Sequence, residues 1–307
     1  MKDLNKYKGI FPAFYACYGK DGEIDTEVTS SFAKYLMDEG VKGLYVGGSS
    51  GECIYQSVED RKKTLEAVVE TVKGQITIIA HVACNNTKDS IELARHAESL
   101  GVDAIASIPP IYFKLPDYAI AKYWNDMSHA APKTDFVIYN IPQLAGVALS
   151  IPLLNEMLEN ENVVGVKNSS MPVQDIQMFK AEGTRNGRGF VVFNGPDEQL
   201  VSGLAIGADG GIGGTYAVMP ELYLSIFDCV KEGRIEEAGR IQNDANEIIY
   251  TLCRAKGNLY ATMKEVIKKR SGLDLGGVRA PLYGYTDEDK EVVDLCASLV
   301  DEAIKSL

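Results

Sequence analysis

Histidine is scarce in this 307-residue chain, and the three there are lie apart. His81, His96 and His129 show neither HExxH nor HxxH spacing. None of the six cysteines (Cys17, Cys53, Cys84, Cys229, Cys253 and Cys296) forms a CxxC pair. Metal ribbons, thioredoxin-like exchange and a histidine-based metal site find no support, so no metal is expected. Basic residues are the minority: 31 Lys and Arg against 43 Asp and Glu, a formal charge of −12. An acidic surface repels nucleic-acid phosphates and anionic membranes, so neither is expected as a partner. A small anionic substrate remains compatible, because a pocket can supply its own donors. No stretch approaches the ~20 continuous apolar residues of a membrane span. The opening residues, Met1-Lys2-Asp3-Leu4-Asn5-Lys6-Tyr7-Lys8, hold no apolar signal core. The expected compartment is therefore the cytoplasm.

What is present is ordinary globular material, with 46 % hydrophobic and 24 % charged residues. A chain of this length can bury a core without disulfide or metal staples, and disorder as the main state is excluded. Short apolar runs alternate with helical patterns. Eight predicted strands cover Gly9–Ala16, Gly43–Gly48, Ile76–Ala83, Ala104–Pro109, Asp135–Ile141, Val163–Asn168, Phe190–Asn194 and Gly210–Thr215. Helical patterns between them include Ser57–Val72, Thr87–Leu100, Asp117–Ala131, Ile151–Asn160 and Asp197–Ile206. Asp25 or Thr26, Ser57 with Asp60, and Thr87 stand where helix N-caps are needed. The strands are near-continuously apolar, as in a parallel sheet covered on both faces. Eight such units predict a (β/α)₈ TIM barrel over residues 1–231. An open doubly wound sheet is the runner-up, but Phe11-Pro12-Ala13-Phe14 is no dinucleotide fingerprint. Residues 232–307 change character. Ile235–Arg254, Leu259–Arg270 and Asp287–Ile304 read as a C-terminal three-helix extension packed on the barrel.

Active sites of such barrels lie at the C-terminal ends of the strands. The second predicted strand runs into Gly47-Gly48-Ser49-Ser50-Gly51-Glu52, whose amides and hydroxyls could cradle a carboxylate or phosphate, or simply form a polar turn. The fourth ends at Pro109-Pro110-Ile111-Tyr112, where the diproline aims Tyr112 or leaves it a surface aromatic. The fifth ends at Tyr139, a phenol placed to shuttle a proton, or a buried tyrosine with a satisfied hydroxyl. The sixth ends in Lys167, the most anomalous residue of the chain. Burial disfavours an ammonium and makes a lysine a nucleophile suited to Schiff-base formation. A structural ion pair, or a reach to solvent, is the competing account. After the seventh strand, Asp197 and Glu198 could bind hydroxyls or a cation, or serve only the following helix dipole. The eighth, Gly210-Gly211-Ile212-Gly213-Gly214-Thr215-Tyr216, is glycine-dense, which suits either ligand approach or tight packing at a barrel mouth.

Together GGSSGE (Gly47–Glu52), YNIP (Tyr139–Pro142), GVK (Gly165–Lys167) and DGGIGGTY (Asp209–Tyr216) resemble the pyruvate-dependent class I aldolases, the N-acetylneuraminate lyase and dihydrodipicolinate synthase family. The resemblance spans the barrel. It implies that Lys167 forms a Schiff base with a keto carbon, that Ser49 and Ser50 hold the pyruvate carboxylate, and that Tyr139 moves the proton at the aldehyde-side oxygen. Tyr112 resembles the family tyrosine that reaches a neighbouring subunit's site, in what is typically a homotetramer. Leu144, where the synthase branch carries arginine, and Gly195-Pro196-Asp197-Glu198 resemble the lyase branch. That branch implies reversible cleavage of N-acetylneuraminate, a sialic acid, to N-acetylmannosamine and pyruvate, with Asp197 and Glu198 accepting from the glycerol tail. Ser169, Gly195, Gly213 and Gly214 fall in the same motifs as substrate-binding positions. Four positions depart from the pattern: Ser50 and Ser169 stand for threonine, Gly214 for the lyases' serine and Ala217 for their asparagine. No cofactor is implied, because the imine does the electrophilic work. A related aldolase acting on another 2-keto-3-deoxy sugar acid, and a non-catalytic keto-acid-binding barrel, are the alternatives.

Overall fold

The computed structural model describes residues 2–307. Eight strands form one sheet: β1 (Gly9–Pro12), β2 (Gly43–Val46), β3 (Thr77–His81), β4 (Ala104–Ser107), β5 (Asp135–Asn140), β6 (Val163–Asn168), β7 (Val191–Asn194) and β8 (Gly210–Gly213). Every pairing is parallel, in the order β1-β8-β7-β6-β5-β4-β3-β2. A bridge between Ala13 and Tyr45 joins β1 to β2 and nearly closes the ring. Helices α1 (Thr26–Asp38), α2 (Val58–Val72), α3 (Thr87–Leu100), α4 (Asp117–Ala130), α5 (Pro142–Ala145), α6 (Ile151–Leu158), α7 (Gln174–Gly183), α8 (Leu200–Ala205) and α9 (Pro220–Lys231) fill the connections. The fold is the (β/α)₈ barrel that the alternation predicts. Helices α10 (Ile235–Leu252), α11 (Leu259–Ser271) and α12 (Lys290–Lys305) form the C-terminal extension, with α10 packed on α8, α9 and α12. Among the described residues no helix is long and apolar enough to cross a membrane.

Two apolar layers explain the near-continuous hydrophobicity of the strands. Phe11, Tyr45, Ile79, Val137, Val164, Phe193 and Ile212 fill the barrel interior. Their neighbours along the chain, such as Ile10, Leu44, Ile78, Val163 and Val192, pack outward on the helices. One irregularity matters for chemistry. Phe136 pairs with Val163, but Val137 pairs with Gly165, so β6 carries a bulge at Val164. Val163 faces outward, and strict alternation from it would also turn Lys167 outward. The extra residue reverses the phase, so Val166 faces the helices and Lys167 the interior.

Local chemistry sets the element boundaries. Asp25 caps α1, accepting from Glu27 and Val28, and Ser57 and Asp60 form a capping box on α2. On α3 the cap is Asn86, accepting from Asp89, rather than Thr87, which is the first helical residue. The predicted helix Asp197–Ile206 is a 3₁₀ turn, Asp197–Gln199, followed by α8. The Asp197 carboxylate is drawn aside to Thr215, and Gln199 breaks the helical backbone at φ −123°.

Candidate active site

Adjacent strands place Tyr139, Lys167 and Phe193 side by side in register at the C-terminal mouth. Lys167 is only 4 % exposed. Its Nζ lies 4.0 Å from the centroid of the Tyr139 ring and 4.4 Å from that of Tyr45. It has no ion-pair partner among the described residues, whereas the other deeply buried lysine, Lys264, is paired with Glu52. A structural salt bridge and a solvent-reaching lysine are therefore both set aside. Two aromatic faces, rather than a carboxylate, flank the Nζ group.

Behind the pair, Tyr45 and His81 pack edge-on and tilted against Tyr139 and each other, with centroids 5.8–6.1 Å apart. Burial, followed by the charges of Arg61 and Lys167, pushes the His81 pKa well below its ordinary value. The ring is neutral, and Nδ1, 2.9 Å from the Gly47 carbonyl, carries the proton it donates there. His81, which reads as an unconnected strand histidine in the sequence, thus supports the Gly47–Glu52 loop. Within that loop Ser50 is buried and Ser49 half-buried. Their amide N–H groups have no protein partner among the described residues. Two free amides and two hydroxyls opposite a lysine suit a carboxylate.

Across the mouth, Asp197 Oδ2 accepts from the Thr215 amide and hydroxyl, both at 2.6 Å. Burial pushes the Asp197 carboxyl up to about 6, Glu198 pushes the same way, and the Thr215 bonds oppose both. The folded state thus holds this proton more tightly than the unfolded chain. Its contribution to stability falls as pH rises from about 4 to about 6. From the C-terminal extension, Gln242 donates to the Asp197 carbonyl (3.1 Å) and Asn246 to the Glu198 carbonyl (3.3 Å). Two glycines make room here. A Cβ on Gly195 would stand 2.0 Å from Ser169 Oγ, and one on Gly213 would stand 2.2 Å from Asp197 Oδ1.

These groups line one cavity of about 440 Å³: Lys167, Tyr139, Ser49, Ser50, Ser169, Gly195, Asp197, Glu198 and Gly214. Gly213 lies beneath Asp197 rather than on the wall. Tyr112 is not brought in. It is 89 % exposed, at φ +82°, with its ring against Phe113. The extension supplies wall that motif reading misses: Ile249, Cys253, Leu259, Tyr260 and Met263. The amphipathic spacing of α10 and α11 shows only that they have a buried face. A larger cavity of about 630 Å³ lies at the opposite end, lined by Lys8, Lys42 and Asp103. That is the stability end of an α/β barrel, and its lining residues include no buried lysine or cysteine.

The geometry is that of a parallel (β/α)₈ barrel whose mouth holds a buried amine facing the Ser49 and Ser50 amides across one cavity. Residues 6–298 match the dihydrodipicolinate synthetase family, and the chain belongs to that family. It is 62 % identical over 305 residues to the N-acetylneuraminate lyase of Mediterraneibacter gnavus, covering 99 % of this chain and 96 % of that one. A catalytic lysine mutant of the Ruminococcus gnavus sialic acid aldolase superposes with a TM-score of 0.97 at 61 % identity, covering 100 % and 99 % of the two chains. CdNal from Clostridium difficile in complex with mannosamine is more distant, at 30 % identity and TM-score 0.88 over 99 % of each chain.

Proposed function

We propose that this protein is a carbon–carbon lyase that reversibly cleaves N-acetylneuraminate to N-acetylmannosamine and pyruvate through an imine on Lys167. The observation that carries the reading is the buried, unpaired Lys167 amine facing the Gly47–Glu52 cradle across one cavity. The 62 % identity to a lyase of that name supports the substrate.

The Lys167 amine adds to the C2 keto carbon of the open-chain sugar, and water leaves. The protonated imine draws in the electron pair of the C3–C4 bond as the C4 hydroxyl gives its proton to the Tyr139 oxygen, whose own proton passes to the substrate's carboxylate. N-acetylmannosamine departs as the aldehyde, leaving an enamine on C2–C3. Protonation at C3 and hydrolysis of the imine release pyruvate and the free lysine. Ser49 and Ser50 hold the carboxylate, which fixes C2 against Nζ. Asp197 and Glu198 accept from the hydroxyls of the glycerol tail, while Ser169, Gly195 and Gly214 line the space between and Gly213 leaves room for the Asp197 carboxylate. Tyr112 fits a role in a neighbouring subunit's site within a homotetramer, because its own ring is exposed.

The direct test is pyruvate release from N-acetylneuraminate by the purified protein. Release supports the reading. Activity confined to other 2-keto-3-deoxy sugar acids would move the substrate while keeping the imine. Keto-acid binding without turnover on any of them would overturn catalysis. A second expectation concerns pH. Below about 6 Asp197 takes up a proton and loses its strength as an acceptor. The KM for the full sugar should then rise by up to about tenfold per pH unit. In Asp197→Asn that step should vanish, and a step that persists would assign the titration to another group.

A further inference from the structure

The Gly47–Glu52 loop is held at both ends by buried groups outside the cavity. At its start, His81 Nδ1 donates to the Gly47 carbonyl at 2.9 Å, and Arg61 donates to the His81 carbonyl at 2.6 Å. At its end, Glu52 takes a left-handed backbone, φ +55°, uncommon for a residue with a side chain. Its carboxylate is fully buried. Oε1 accepts from Lys264 Nζ at 2.9 Å, and Oε2 accepts from the Arg279 amide at 2.7 Å and the Tyr18 hydroxyl at 3.1 Å. Lys264 sits on α11 and also donates to the Gly277 carbonyl at 2.5 Å. Glu52 thus ties the cradle loop to a helix 212 residues further along the chain.

Stability is a weak reason for such a pair, because the cost of removing two charges from water rivals what their attraction returns. What a buried pair with every oxygen satisfied does well is impose one geometry. The residue so fixed ends the turn that carries the free Ser49 and Ser50 amides. We propose that Glu52 and Lys264 are positioning residues: the pair holds the turn at Glu52 so that those amides point at the substrate carboxylate, making α11 part of the keto-acid site. This rests on the reading above that the loop binds the carboxylate of a keto acid.

Borohydride trapping of pyruvate on Lys167, followed by intact mass, tests it without any sugar. Glu52→Gln, Lys264→Met and the double variant are compared with wild type, each with its melting temperature. Each single variant should need roughly 10- to 100-fold more pyruvate for half-maximal trapping, while saturating pyruvate still labels it, because the lysine itself is untouched. The double variant removes the orphaned charge and should recover melting temperature. Its half-saturating pyruvate should stay raised. If a single variant does not fold, the double variant alone decides. A half-saturation that stays at the wild-type value, or that recovers together with melting temperature, overturns positioning and leaves a structural clamp. Failure of wild type to be trapped at any pyruvate concentration overturns the keto-acid reading itself, and this inference with it.

Discussion

Replacing Lys167 with alanine is expected to abolish pyruvate release, with a loss of at least about 10⁴-fold in kcat. The size follows from what the amine does. Without it no imine forms, and the electrons of the C3–C4 bond have no sink. Nothing nearby can substitute: Lys264, the other deeply buried lysine, is locked to Glu52 and the Gly277 carbonyl. The fold should survive, because Lys167 has no ion-pair partner whose charge would be stranded. The variant's melting temperature should stay near that of wild type, and pyruvate with borohydride should add no mass. A variant that keeps substantial turnover would remove the imine from the mechanism. Loss of activity accompanied by unfolding would leave the lysine's role undecided by alanine, and Lys167→Met, which keeps the buried volume, then reads it.

Much of this site is legible in the sequence because each barrel strand ends in a short loop that carries its own chemistry. A lysine closing the run Val163-Val164-Gly165-Val166 stands out whatever its neighbours are. Its inward direction is not legible, since that depends on the Val164 bulge, set by pairing with β5. Asp197 and Glu198 stand in the right loop, but the 3₁₀ turn there follows from a bond to Thr215, eighteen residues on. The least legible contributions come from the extension. Its amphipathic helices show a buried face without showing that Tyr260 and Met263 line the cavity, or that Lys264 reaches Glu52. Spacing patterns report local periodicity, whereas these contacts arise only once the chain has closed on itself.

Tyr139→Phe is the sharper test of how the proton moves. The phenol makes no side-chain hydrogen bond among the described residues, and it faces the cavity beside Lys167. Removing the oxygen therefore strands no partner. Phenylalanine keeps the ring face 4.0 Å from Nζ and the edge contact with Tyr45, so Lys167 stays seated. Imine formation with pyruvate should remain, and borohydride trapping should be close to wild type. The step that suffers is C3–C4 cleavage, where a proton must leave the C4 hydroxyl as the electrons move. A fall of roughly 10²–10⁴ in kcat is expected, with KM changing much less. A loss shared equally by trapping and turnover would make Tyr139 a support for the lysine instead. Turnover near the wild-type rate would remove Tyr139 from the proton's path and pass the proton to another hydroxyl of the cavity wall, such as Ser50, or directly to the substrate's own carboxylate.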